Sequence, residues 1–180
     1  MSFRRRIFVP VDLSFNSLQA VRVGRDLASV LSEITLFYAI DAEEQKVANF
    51  SRLRSSASGS LNGLLVDRVN RLRKIRHTEL RDTMLVNLAI CVGEDAAEVI
   101  CNSARRNAAD IIVLAAHGRS NHPDRVPGHV AAAVVRGAPC PVMVVRSYGL
   151  AAPSGFSKPI SPAQSLSSVG ALKKTGTIAS

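Results

Sequence analysis

Short, unbroken apolar runs alternate along this chain with stretches in which apolar residues recur every three or four positions. Ile7-Phe8-Val9-Pro10-Val11, ended by Asp12, reads as a buried first strand. Ser14 offers a cap to a following helix whose apolar positions are Leu18, Val21, Leu27, Val30 and Leu31. Ile34 to Ile40, closed by Asp41, reads as a second strand, and Met84 to Val92, ending at Gly93, as a third. Glu94 opens a helix with Ala97, Ile100, Cys101 and Ala104 on one face. Asp110 precedes a fourth strand, Ile111-Ile112-Val113-Leu114. Val130 to Arg136 reads as a helix stopped by Gly137 and Pro139, and Val142 to Val145 as a fifth strand. Strands this apolar need cover on both faces. Their alternation with helices predicts an α/β layered fold around a parallel sheet.

Two segments break the pattern. Residues 42–60 are polar and Ser-rich, which predicts a mobile connection. The helix expected after it carries Leu61, Leu64, Leu65, Val69, Leu72 and Ile75 on one side and Arg68, Arg71, Arg73, Lys74 and Arg76 on the other. It reads as an amphipathic cover helix with a solvated basic face. In residues 147–180, Ser, Ala, Gly and Pro fill 20 of 34 positions, too little apolar surface to offset ordering entropy. The expectation is one folded domain over 1–146 and a disordered tail over 147–180.

Composition refines this picture. The chain is 47% apolar with only 4% aromatics and no Trp, so its core must be built from aliphatic residues. The net charge is +9, with all 14 acids inside residues 1–146. A basic surface suits nucleotides, nucleic acid or anionic lipid without selecting among them. The scarcity of stacking aromatics counts against nucleic acid as a partner. Cys91, Cys101 and Cys140 form no C-x-x-C pair and read as small apolar residues in a reducing compartment. Arg4-Arg5-Arg6 precede an apolar run far too short for a signal segment or a membrane span. A cytoplasmic protein without a membrane partner is expected.

Chemistry in an open parallel sheet gathers beyond the carboxyl ends of the strands. The candidates there are Asp12, Asp41, Gly93 and the long loop after Leu114. That loop runs Ala115-Ala116-His117-Gly118-Arg119-Ser120, continues from Asn121 to Pro127, and ends at Gly128-His129 on a helix start. Small residues at 115 and 118 let backbone amides approach an anion, and the helix start offers unpaired amides and a favourable dipole. His117, His122 and His129 with Asp124 have no helical ligand spacing, so no metal site is expected. There is no G-x-S-x-G elbow, no P-loop lysine and no Gly-rich turn after strand one. A binding protein, not an enzyme, is the expectation.

The chain resembles the universal stress protein family over essentially all of residues 3–146. The resemblance rests on Val9-Pro10-Val11-Asp12, on His117-Gly118-Arg119 and on Ala138-Pro139-Cys140-Pro141-Val142. It implies a Rossmann-like open five-stranded parallel sheet of order 3-2-1-4-5 with helices on both faces, dimerised through strand five. The family's nucleotide-binding members carry Gly, two residues, Gly, nine residues, then Gly followed by Ser or Thr. Here these positions are Ala115, Gly118, Gly128 and His129, with spacing intact and two substitutions. By resemblance, Val11, Asp12 and the backbone at Ile40 lie on the adenosine side, while Gly118, Gly128, His129 and Val130 hold ribose and phosphates. Arg119 is either a phosphate partner or a solvated loop charge. The implied ligand is ATP, with Mg where it is bound. Some family members hydrolyse ATP slowly or autophosphorylate, but no general base for either is identifiable here. Ala115 should cost about 1 kcal/mol if its backbone needs a positive φ and little otherwise. Loss of a hydroxyl at 129 removes a bond to a charged group, about 1.5–3 kcal/mol. The alternatives to a nucleotide-binding stress protein are a nucleotide-free dimeric scaffold of the same fold and a basic surface binder using the helix around Arg68–Arg76.

Overall fold

The computed structural model describes residues 4–46, 61–81, 85–118 and 127–147. Five strands, β1 (Arg5–Pro10), β2 (Ser32–Ile40), β3 (Leu85–Val92), β4 (Ile111–Ala115) and β5 (Val142–Val145), form one sheet of order β3-β2-β1-β4-β5. Every pairing is parallel. Four longer helices connect them: α1 (Phe15–Asp26), α2 (Leu61–Glu79), α3 (Ala96–Arg106) and α4 (His129–Gly137). The Rossmann-like topology expected from the family resemblance is therefore present.

The strand pleat explains the two-sided core. Ile7 and Val9 of β1, with Ile34, Leu36, Tyr38 and Ile40 of β2, point to one face and pack with Leu18 and Val21 of α1 and Leu72 and Ile75 of α2. Phe8 and Phe37 point to the other face and join Ile112 and Leu114 beneath Ile100, Cys101 and Ala104 of α3 and Ala131 and Val134 of α4. The Phe8 and Phe37 rings lie 5.0 Å apart, centroid to centroid. Such strands have no polar face because neither face meets water.

Several boundaries differ from the sequence pattern. The helical spacing through Leu27, Val30 and Leu31 predicts a longer α1, but the helix ends at Asp26 with Leu27 as C-cap. Val30 and Leu31 then stand 77% and 52% exposed. The physical reason is local. Ser32 N–H bonds Ser29 O at 2.9 Å and Ser32 Oγ accepts from Ser29 N–H at 2.9 Å, so a serine-pinned turn competes successfully with another helical turn. The connection expected to be mobile over 42–60 opens with a helical turn at 42–46, and its remainder lies outside the described residues. The tail from 148 to 180 lies outside them too, as does Met84.

The basic face assigned to α2 loses a member. Arg68 is only 15% exposed and pairs with Glu44 and Asp67, while its guanidinium sits 5.3 Å over the Tyr38 ring. The buried Tyr38 hydroxyl donates to Glu44 at 2.9 Å. Burial disfavours the Arg68 charge, but bonding to Glu44 and the proximity of Tyr38 and Asp67 outweigh it, so its pKa is held above the usual value. Arg68 thus fastens α2 to the segment after β2.

Helix α3 ends in a Schellman arrangement. Ala109 N–H bonds Ala104 O and Ala108 N–H bonds Arg105 O, both at 3.0 Å, with Ala108 left-handed at φ 46°. Glycine fits that position without steric cost. Ala108→Gly is expected to stabilise the fold by about 1 kcal/mol, read as a higher urea midpoint at unchanged slope.

Candidate functional site

Strand β1 lies between β2 and β4, with Phe8 opposite Ile112 in the β1–β4 register. Four residues beyond that pair, just past the ends of β1 at Pro10 and β4 at Ala115, the chain reaches Asp12 and Ala116 at the same edge of the sheet. The helix after β1 covers one face and the helix after β4 the other, so the two connections leave toward opposite faces and the cleft expected of an open α/β sheet falls between them.

At the β1 end, Val11 is buried and its N–H donates to Phe37 O at 2.8 Å. Leu13 takes a left-handed conformation, φ 65°, which swings Ser14 back toward the strand end. Asp12 Oδ1 accepts both the Ser14 N–H at 3.0 Å and the Ser14 hydroxyl at 2.6 Å. Ser14 Oγ in turn accepts from Ser17 N–H at 3.2 Å and caps α1. Asp12 is thereby part of the cap and part of the cleft at once. Its Oδ1 closes the turn, while Oδ2 faces Gly118.

That contact explains the glycine. A Cβ on Gly118 would stand 2.5 Å from Asp12 Oδ2, closer than any real Cβ contact. Ala115 is the last residue of β4, paired with Val145. Among the described residues, Leu13 and Ala108 alone combine a side chain with positive φ, so the Ala115 methyl carries no backbone strain. Ala116 holds the loop together: its N–H donates to Val145 O at 2.7 Å and its carbonyl accepts from Gly128 N–H at 2.8 Å. Gly128 is the N-cap of α4 and contributes no side-chain cap bond. The first helical bond runs from Ala132 N–H to Gly128 O at 2.9 Å. The amides of exposed His129, half-buried Val130 and buried Ala131 therefore lack acceptors within the helix.

The remaining candidates fare differently. Ile40 is fully buried and its carbonyl accepts from Gly93 N–H at 3.0 Å. Gly93 O accepts from Gln45 Nε2 at 3.0 Å, and Asp41 Oδ1 accepts from Glu44 N–H at 2.8 Å. Gly93 thus joins the end of β3 to β2 and to the turn at 42–46, which Asp41 caps. The Asp41-to-Glu44 spacing is a helix-start pattern visible in the sequence. Arg119, His122 and Asp124 lie outside the described residues. Cys101 is buried and Cys140 half-buried; burial raises the pKa of both, which disfavours a reactive thiolate at neutral pH. Ala116, which joins the loop to β5 and α4, carries no side-chain chemistry that would flag it in the sequence.

A five-stranded doubly wound sheet of order β3-β2-β1-β4-β5, with its switch point between β1 and β4, defines a Rossmann-like α/β protein. Its sequence matches the model of the Universal stress protein family over residues 4–146, and the chain belongs to that family. Among solved structures, protein MJ0577, whose biochemical function was assigned from its structure, is similar at 28% identity and TM-score 0.68, covering 81% of this chain and 98% of its own. The universal stress protein UspA from Lactobacillus plantarum is similar at 26% identity and TM-score 0.58, covering 79% and 97%. An Arabidopsis thaliana protein of the family, solved with AMP bound, shares the fold at 19% identity and TM-score 0.53, covering 84% and 97%. No curated protein matches the sequence significantly.

Replacing Gly118 tests the geometry. Gly118→Ala must displace the Asp12 carboxylate and disturb the cap of α1, at an expected cost of about 1 kcal/mol. Asp12→Ala should cost a similar amount, and the double variant less than the sum, measured by urea unfolding.

Proposed function

We propose that this chain binds an adenine nucleotide in the cleft between the ends of β1 and β4 and acts as a cytoplasmic stress-response protein. In this reading it is a homodimer whose nucleotide state alters its contacts, and not an enzyme. The observation that carries the reading is the Asp12 carboxylate beside the bare backbone of Gly118, with the amides of His129, Val130 and Ala131, which have no acceptor within the helix, at the start of α4. Asp12 Oδ2 can accept a ribose hydroxyl, and the amides suit a phosphate. Val11 and the Ile40 backbone line the adenosine side, and Ala115, Gly118, Arg119, Gly128, His129 and Val130 the ribose and phosphate side. The AMP-bound plant protein supports the fold's capacity for such a ligand.

ATP with Mg is the proposed physiological ligand. Mg would supply charge neutralisation between phosphates, and this chain supplies amides and the His129 and Arg119 side chains. Without strain at Ala115, the departure that weakens binding is His129. A lost hydroxyl bond corresponds to roughly tenfold to two-hundredfold in affinity, which a donating imidazole N–H can restore. Among the described residues β5 is an edge strand that pairs with β4 alone, and its outer edge is the proposed dimer seam.

Calorimetric titration with AMP and ATP, with and without Mg²⁺, should show saturable binding that Gly118→Val abolishes. Absence of heat and of thermal shift at about millimolar nucleotide would instead favour the nucleotide-free dimeric scaffold. His129→Ala should weaken ATP binding about tenfold in the same titration, and unchanged affinity removes the His129 side chain from the site.

A further inference from the structure

Turn tips ordinarily carry Gly, Asn, Asp or Ser. The turn between α1 and β2 carries Val30 and Leu31 instead, and they are among the most exposed large apolar residues described. The turn is a built feature. Ser29 and Ser32 are tied by backbone and hydroxyl bonds, including an Oγ–Oγ approach of 3.2 Å, so the two aliphatic side chains are held outward. Leu85, at the start of the neighbouring strand β3 and opposite Glu33, adds a third partly exposed aliphatic group.

Arginines lie on the elements that flank this tip. Arg5 pairs in register with Ser32 and Arg4 precedes it; both are exposed. Arg25, in the last turn of α1, donates through its guanidinium to Glu79 O at 3.3 Å, which ties the end of α2, where Arg76 and Arg81 are exposed, to the helix end that precedes the turn. Among the described residues, Asp26 pairs with Arg25 at 3.0 Å and Glu79 with Arg22 at 2.9 Å, Glu33 accepts from Asn87, and Asp110 accepts from the Arg6 N–H at 2.7 Å. This pole lies at the amino ends of the strands, opposite the cleft.

We propose that this pole is a docking surface for an anionic lipid bilayer, with Val30 and Leu31 entering the headgroup boundary and the arginines meeting lipid phosphates. An apolar tip inside a cationic collar complements a surface whose anionic layer overlies an apolar one. Nucleic acid offers no apolar layer for the tip, and the tip projects outward, whereas a folded acidic partner would have to supply a matching pocket. No described helix is long and apolar enough to cross a membrane, so the contact is peripheral. It leaves the nucleotide cleft facing away from the bilayer and does not rest on the proposed function.

The test is co-sedimentation of the full chain with vesicles of phosphatidylcholine alone and of phosphatidylcholine with phosphatidylglycerol. Binding is expected to the anionic vesicles only and to weaken steeply at roughly 0.5 M salt. The Val30→Ser/Leu31→Ser variant and the Arg4→Gln/Arg5→Gln variant should each reduce it about tenfold. Their thermal midpoints should stay unchanged, since all four residues are exposed. No binding to anionic vesicles overturns the proposal. So does binding indifferent to Val30→Ser/Leu31→Ser, or tighter binding of duplex DNA or polyglutamate through the same residues.

Discussion

The close approach of the Asp12 carboxylate to Gly118 is the constraint on which the carboxyl end of this sheet, and the site proposed there, depend. It exists only because β1 and β4 are neighbours, which requires the chain to cross from one side of the sheet to the other after β3. The crossover places α1 and α2 on one face and α3 and α4 on the other. Each face then needs its own aliphatic layer, which the alternating side chains of β1 and β2 supply. The same carboxylate closes the turn into α1 through Ser14, so the cleft wall and the first helix share one anchor.

Much of this was legible in the sequence because strands buried on both faces leave unbroken apolar runs. All five strands and their helices fall where those runs and spacings indicate, within a few residues. The order of the strands was not legible from periodicity, since apolar runs do not name their neighbours; the family resemblance supplied it. The end of α1 was misread because Val30 and Leu31 continue a helical spacing by coincidence, while the bonds between Ser29 and Ser32 decide the backbone. Arg68 was misread because its partner Glu44 is remote in sequence. Asp41 resembled a site residue by its position after a strand, yet its carboxylate caps the turn that follows.

At the candidate site, glycine spacing identified the loop, and the structure explains which departures matter. Ala115 is an ordinary strand residue, so replacing glycine there costs nothing in backbone conformation. Gly118 admits no side chain without moving Asp12. His129 retains its amide at the helix start and changes only the side chain presented beyond it. Both substitutions thus leave the backbone of the proposed site unchanged, and the side chain at 129 presents an imidazole in place of a hydroxyl.

The most direct test of this account is the amide nitrogen–proton correlation spectrum of the labelled chain during titration with AMP. The account predicts saturable shifts concentrated at Gly118, His129, Val130 and Ala131, with smaller ones at Val11 and Asp12. An unchanged spectrum at saturating nucleotide, or shifts centred away from the ends of β1 and β4, would contradict it.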